Sequence, residues 1–158
     1  MSKFVIPEDG HIAIGLYPVA LSTGATCDAV NMENYSHLDA LVVCGASQGG
    51  PTTITVLAAT DGSATSAEAI AFDYYAEETA STDILGARTA ATTAGVAMDN
   101  DATSSIFYVV SIDASQLPAD HKFVNVTLAG SASTTPAAVI YILSGARYGG
   151  PESPTALS

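Results

Sequence analysis

Apolar and polar residues alternate along most of this chain with a period of two, the signature of strands whose successive side chains face opposite sides of a sheet. HIAIGLYP, residues 11–18, predicts a first strand ended by Pro18. LDALVVCG, residues 38–45, places Leu38, Ala40, Val42 and Cys44 on one face and Leu41 and Val43 on the other. TTITVLAA, residues 52–59, sets Ile54 and Val56 against Thr53 and Thr55. AIAFDYYA (69–76) and SIFYVVSID (105–113) are rich in aromatic and β-branched residues, which favour strands. KFVNVTLAG, residues 122–130, sets Val124, Val126 and Leu128 against Phe123, Asn125 and Thr127. AAVIYILSGARY, residues 137–148, is apolar on both faces and predicts a central strand.

Short strands at near-regular spacing, separated by Gly, Pro and Asp, predict an all-β antiparallel sandwich, jelly-roll or immunoglobulin-like. Helix signals are sparse: at most one or two short turns, within SATSAEAIAF and around Ser115–Asp120. The Ala/Thr-rich stretch 80–103 is interrupted by Gly86 and Gly95 and predicts one or two strands, 84–88 and 95–98. No linker or repeat divides the chain. The reading is an N-terminal arm (1–9), one sandwich domain (10–148) and a C-terminal tail (149–158).

Composition narrows the function. The 158 residues are 48% hydrophobic and 13% charged, about half the usual charged share. Sixteen acids face four bases, Lys3, Arg88, Lys122 and Arg147, for a net charge of -12. A nucleic-acid backbone needs several cations on one face, so no nucleic acid is expected as a partner. An anionic membrane surface is disfavoured for the same reason, and no stretch reaches the ~20 apolar residues of a membrane helix. The opening MSKFVIPEDGH has no signal-peptide run, so synthesis in a cytoplasm is expected. Cys27 and Cys44 are too few for a disulfide framework; a bridge between them is allowed by count alone.

Candidate chemistry is thin. Gly45-Ala46-Ser47-Gln48-Gly49 fits the G-x-S-x-G nucleophile elbow, which requires a strand, a tight turn and a helix. Gly50-Pro51 and then TTITV follow instead, which disfavours a helix and predicts strand, loop, strand. The glycines then serve a hairpin loop. Only His121 lies later in the chain as a partner for Ser47. His11, His37 and His121 make no zinc-ligand spacing. Asp99-Asn100-Asp101 lacks the Gly and terminal Glu of a calcium loop. Glu77-Glu78 with Asp73 and Asp83 reads as a solvated strand end rather than paired catalytic carboxylates. No catalytic residue, metal or cofactor is therefore assigned, and the expectation is a protein that is not an enzyme. Arg147-Tyr148 closes the most apolar strand; Arg147 reads equally as an internal salt bridge or as an anchor across a subunit boundary.

Residues 30–38, VNMENYSHL, followed by an apolar strand, Gly45 and TITVLAATDG, resemble small virion proteins of tailed bacteriophages. FYVVSIDA (107–114) with Leu117 and Asp120 is similar to their second-half segment, and AVIYIL (138–143) with Ala146, Arg147, Tyr148, Pro154 and Thr155 to their closing strand and tail. Ser111 stands where an acid is expected, and a long Ala/Thr insert follows Ile84. The resemblance implies a head-associated structural protein: a capsid decoration or cement protein at the phage head surface, partnered by the major capsid protein and by copies of itself. The expected contact residues are Lys3, Phe4, Val5 and Pro7 in the arm, with Arg147, Tyr148 and Pro151 near the other end. The rival reading is a fibre, tail or adhesin-like binding module that recognises a host glycan or protein.

Overall fold

The computed structural model describes residues 5–46, 52–80, 82–99, 103–129 and 135–147. Within them the regular structure is almost entirely strand. The first half supplies β1 (Gly10–Leu21), β2 (Gly24–Thr26), β3 (Val30–Asn31), β4 (Tyr35–Cys44) and β5 (Thr53–Ala59). The second supplies β6 (Glu68–Ile70), β7 (Phe72–Ala76), β8 (Thr89–Ala91), β9 (Val96–Ala97), β10 (Ile106–Asp113), β11 (Phe123–Ala129) and β12 (Thr135–Ala146). Helix is confined to one turn, α1 (Ile6–Asp9), and a 3-10 turn at Ala114–Gln116.

Two antiparallel sheets pack together. The first has the order β1-β12-β4-β10-β7-β8 and the second β2-β11-β5-β6, with β3 beside β11 and β9 beside β5. The pairings are nested: β1 with β12, β2 with β11, β4 with β10, β5 with β6. The chain is one long antiparallel ladder, doubled back between β5 and β6, whose successive rungs fall in alternate sheets. That nesting is a jelly roll and selects it over the immunoglobulin-like alternative. β7, β8 and β9 are an excursion inserted between β6 and β10.

The alternation in the sequence determines which side chains meet between the sheets. Val42, Val110, Val139 and Tyr141 of the first sheet and Ile54, Val56, Val126 and Leu128 of the second belong to one buried cluster. Each such aliphatic side chain contributes roughly 1.5–3 kcal/mol by leaving water. Tyr141 also joins the layers by a polar contact, because its hydroxyl accepts the Val126 main-chain N–H at 3.1 Å.

Several boundaries differ from expectation. β1 does not stop at Pro18; it runs to Leu21 as the edge of its sheet. Pro18 lies within a register shift between Leu16 and Val19, where the ladder has no need of its missing N–H. Residues 69–76 are two strands, not one. Ile70 pairs into the second sheet opposite Val56, while Phe72 begins the strand that pairs with β8 and β10, so the chain changes sheets at Ala71. The strands expected at 84–88 and 95–98 are found at Thr89–Ala91 and Val96–Ala97, and Leu85 makes only an isolated bridge to Glu77. β4 and β5 lie in different sheets, so they do not form the hairpin expected on either side of Gly45–Gly49; residues 47–51 lie outside the described residues.

Candidate functional site

An antiparallel sheet with one wet face should turn polar residues outward. The second sheet does so in part: Thr53, Thr55 and Thr127 stand at its outward positions beside Leu57, Phe123 and the buried Asn125. The first sheet does not. Its register aligns three outward rows. Ala138, Val43 and Phe107 form one; Ile14, Ile140, Leu41, Val109 and Tyr75 form the next. Ile12, Ile142, Asp39, Ser111 and Asp73 form the third. Ile12 is 46% exposed and Val43 41%, and the remaining aliphatic members of the rows are half-buried. An apolar depression of about 330 Å³, walled by Pro18, Val43, Pro136 and Ala138, continues the surface past the first row.

The opposite end of this face is polar. A fourth row aligns Gly10, Ser144, His37 and Asp113. His37 Nδ1 lies 2.8 Å from Asp113 Oδ1, and Nε2 lies 3.1 Å from Asp39 Oδ1 and 3.3 Å from Ser111 Oγ. Ser, His and Asp meet here in the order of a hydrolase triad. Ser111 is only 6% exposed, and β10 is laddered on both sides, by β4 and β7. Partial burial pulls the His37 pKa down, and the Asp113 hydrogen bond with the charges of Asp39 and Asp113 outweighs it, so the ring titrates above its ordinary value. Two flanking carboxylates favour the protonated ring more than solvent does. The group cross-links β4 to β10.

No sequence spacing announces this cluster, because 76 residues separate His37 from Asp113. Two weaker signals exist: His37 with Asp39, and Ser111 with Asp113, are pairs two apart in strands and so share a face.

The other candidates resolve individually. Ser47 lies outside the described residues. The carboxylates read as a solvated strand end are not all solvated: Glu77 is 5% exposed and accepts the Phe107 N–H at 3.1 Å, and Asp73 binds Arg88 at 2.6 Å. Asp99 donates its main-chain N–H to the Tyr108 hydroxyl; Asn100 and Asp101 lie outside the described residues. Among the described residues no three His, Cys, Asp or Glu side chains are grouped to hold a metal. Cys27 and Cys44 are buried free thiols, not a disulfide. Burial pushes Cys27 up to about 12 and Cys44 up to about 11.

Of the expected contact residues, Val5 and Pro7 flank the start of α1, and Arg147 follows β12. Gly10 pairs with Ser144, so both stretches leave the first sheet at the same end. Arg147 lines a depression of about 340 Å³ with Glu33, Asp120, His121 and Lys122, and among the described residues it forms no ion pair; Glu33 is taken by Lys122 at 2.8 Å. Lys3, Phe4, Tyr148 and Pro151 lie outside the described residues.

No family model matches the sequence, and no curated protein matches it. Among solved structures, the crystal structure of SPBc2 prophage-derived protein YomS is similar over 85% of this chain and 93% of that chain, at 15% identity and a TM-score of 0.41. A likeness at that level carries no weight for fold or role.

Proposed function

We propose that this protein is a non-enzymatic structural component of a bacteriophage virion, a decoration or cement protein that joins copies of itself and the major capsid protein on the outside of the head. The observation that carries this reading is the apolar outer surface of the first sheet in a chain of net charge -12. Such a surface suits packing against a neighbour, because covering it strands few charges. The resemblance of residues 30–155 to small phage virion proteins supplies the container. A subunit that binds only the assembled lattice stabilises that lattice by its binding free energy, through mass action. Val5, Pro7 and Arg147, at one end of the sheet, would make the capsid contact together with Lys3, Phe4, Tyr148 and Pro151. Neither nucleic acid nor a membrane enters this reading.

The test is occupancy on purified capsids of the parent phage. Wild-type protein should saturate a fixed number of sites, and a chain lacking residues 1–9 or carrying Arg147→Glu should lose occupancy. Protein that ignores the capsid but binds selectively on a glycan array would replace this reading with the fibre or adhesin module.

A further inference from the structure

We propose that the outer face formed by β1, β12, β4, β10 and β7 is where a second copy of this chain docks, sheet against sheet about a two-fold axis. This deepens the reading above by naming the surface that copies share.

The register makes the surface. Leu41 and Ile140 are direct neighbours at its centre, flanked by Ile14 and Val109. None of these four belongs to the core cluster or to the side chains packed against it; each is half-buried among its neighbours on the sheet and turns the rest of its apolar surface outward. Five strands about 4.8 Å apart and three rows about 6.8 Å apart cover on the order of 400–500 Å² in projection. That lies in the middle of the range for the largest patch on a monomer, ~300–600 Å². The accessible area of a corrugated sheet exceeds its projection, which brings the face toward the ~800 Å² per partner of a standard interface.

Charge selects the occupant. No Lys or Arg stands in the four rows, and their acids, Asp39, Asp73 and Asp113, gather at the His37 end, where Arg88 pairs with Asp73. A basic partner would be drawn to those acids and away from the apolar rows. Two copies of a chain with net charge -12 repel wherever acids face acids, and the Ala138 and Ile14 rows present none. A two-fold axis across the strands reverses their direction in the second copy. It sets the His37, Asp39 and Asp113 end of one copy over the Val43 and Phe107 end of the other, so like charges do not meet. Sheets that pack face to face in this way lie about 10 Å apart with interdigitated side chains.

Sedimentation velocity of the full chain, from micromolar to hundreds of micromolar, tests this. The wild type should reach twice its 15.9 kDa chain mass. Leu41→Lys and Ile140→Lys should each weaken association by about tenfold or more, with an unchanged circular dichroism spectrum. A wild type that stays monomeric, or folded Lys variants that associate like it, overturns the proposal. So does a monomeric full chain that associates once residues 149–158 are removed, because the tail would then be the occupant. Should the variants fail to fold, hydroxyl-radical footprinting of the wild type decides. Phe107, Tyr75 and Ile12 should lose labelling as concentration rises, and unchanged labelling overturns the proposal. These readouts use free protein, so capsid occupancy can fail while they succeed, and the reverse.

Discussion

At His37 one side chain links protonation to stability. Its folded-state pKa is raised, so its contribution is fully present below the unfolded value of about 6.5 and is lost as pH rises through the higher folded value. Denaturant midpoints measured from pH 6 to pH 9 should therefore fall for the wild type relative to His37→Gln, with the curves running parallel at the alkaline end. Equal slopes throughout would mean that the imidazole carries no linkage. At Tyr141 the outcome is a plain loss. Tyr141→Phe leaves the buried Val126 N–H without its acceptor, and unfolding free energy should drop by about 1–3 kcal/mol. Cys27 and Cys44 give a third check. With the two residues 3% and 0% exposed and their thiol pKa values raised by burial, native protein should leave a chromogenic disulfide reagent unreacted, and denaturant should release both thiols.

At the scale of elements, the close fit of β1, β12 and β4 depends on particular glycines. Gly15 lies where an added Cβ would overlap the Tyr141 ring. Gly145 has φ +63 and a Cβ there would strike the Ser36 hydroxyl. Gly145→Ala should cost about 1–3 kcal/mol, read from chemical denaturation, because left-handed backbone and collision add together. The β6–β7 boundary has a different cause. Ile70 and Phe72 are both buried although they lie in different sheets. Ala71 between them is the exposed corner where the chain changes layer, and periodicity does not mark that corner because both flanks are apolar.

For the whole molecule, nesting means that the first strand waits for the last. β12 is the ladder partner of both β1 and β4, so a chain ending at residue 134 should lack a cooperative melting transition. Non-local pairing of this kind also predicts folding on the millisecond-to-second scale, checked by stopped-flow refolding. The outer faces follow the same register: one shift of a single residue in β4 would send Leu41 inward and Val42 outward. The surface proposed for self-association is thus a consequence of the pairing that builds the core.

Local chemistry in the sequence settled the strand content, the absence of long helices among the described residues, the inward set of β4, β5 and β11, and the central place of β12. Those properties depend on neighbours one or two positions apart, where alternation and β-branching act directly. It also displayed Leu41, Val43, Ile140 and Ile142 as apolar, but not that they would form one surface. Only tertiary structure decided the nested strand order, the sheet change at Ala71 and the union of His37 with Asp113. Each is a matter of which distant strand lies alongside which, set by the fit of two whole layers and by closing loops of tens of residues. No local pattern encodes such a choice, because the same alternating strand satisfies its hydrogen bonds equally well against many partners.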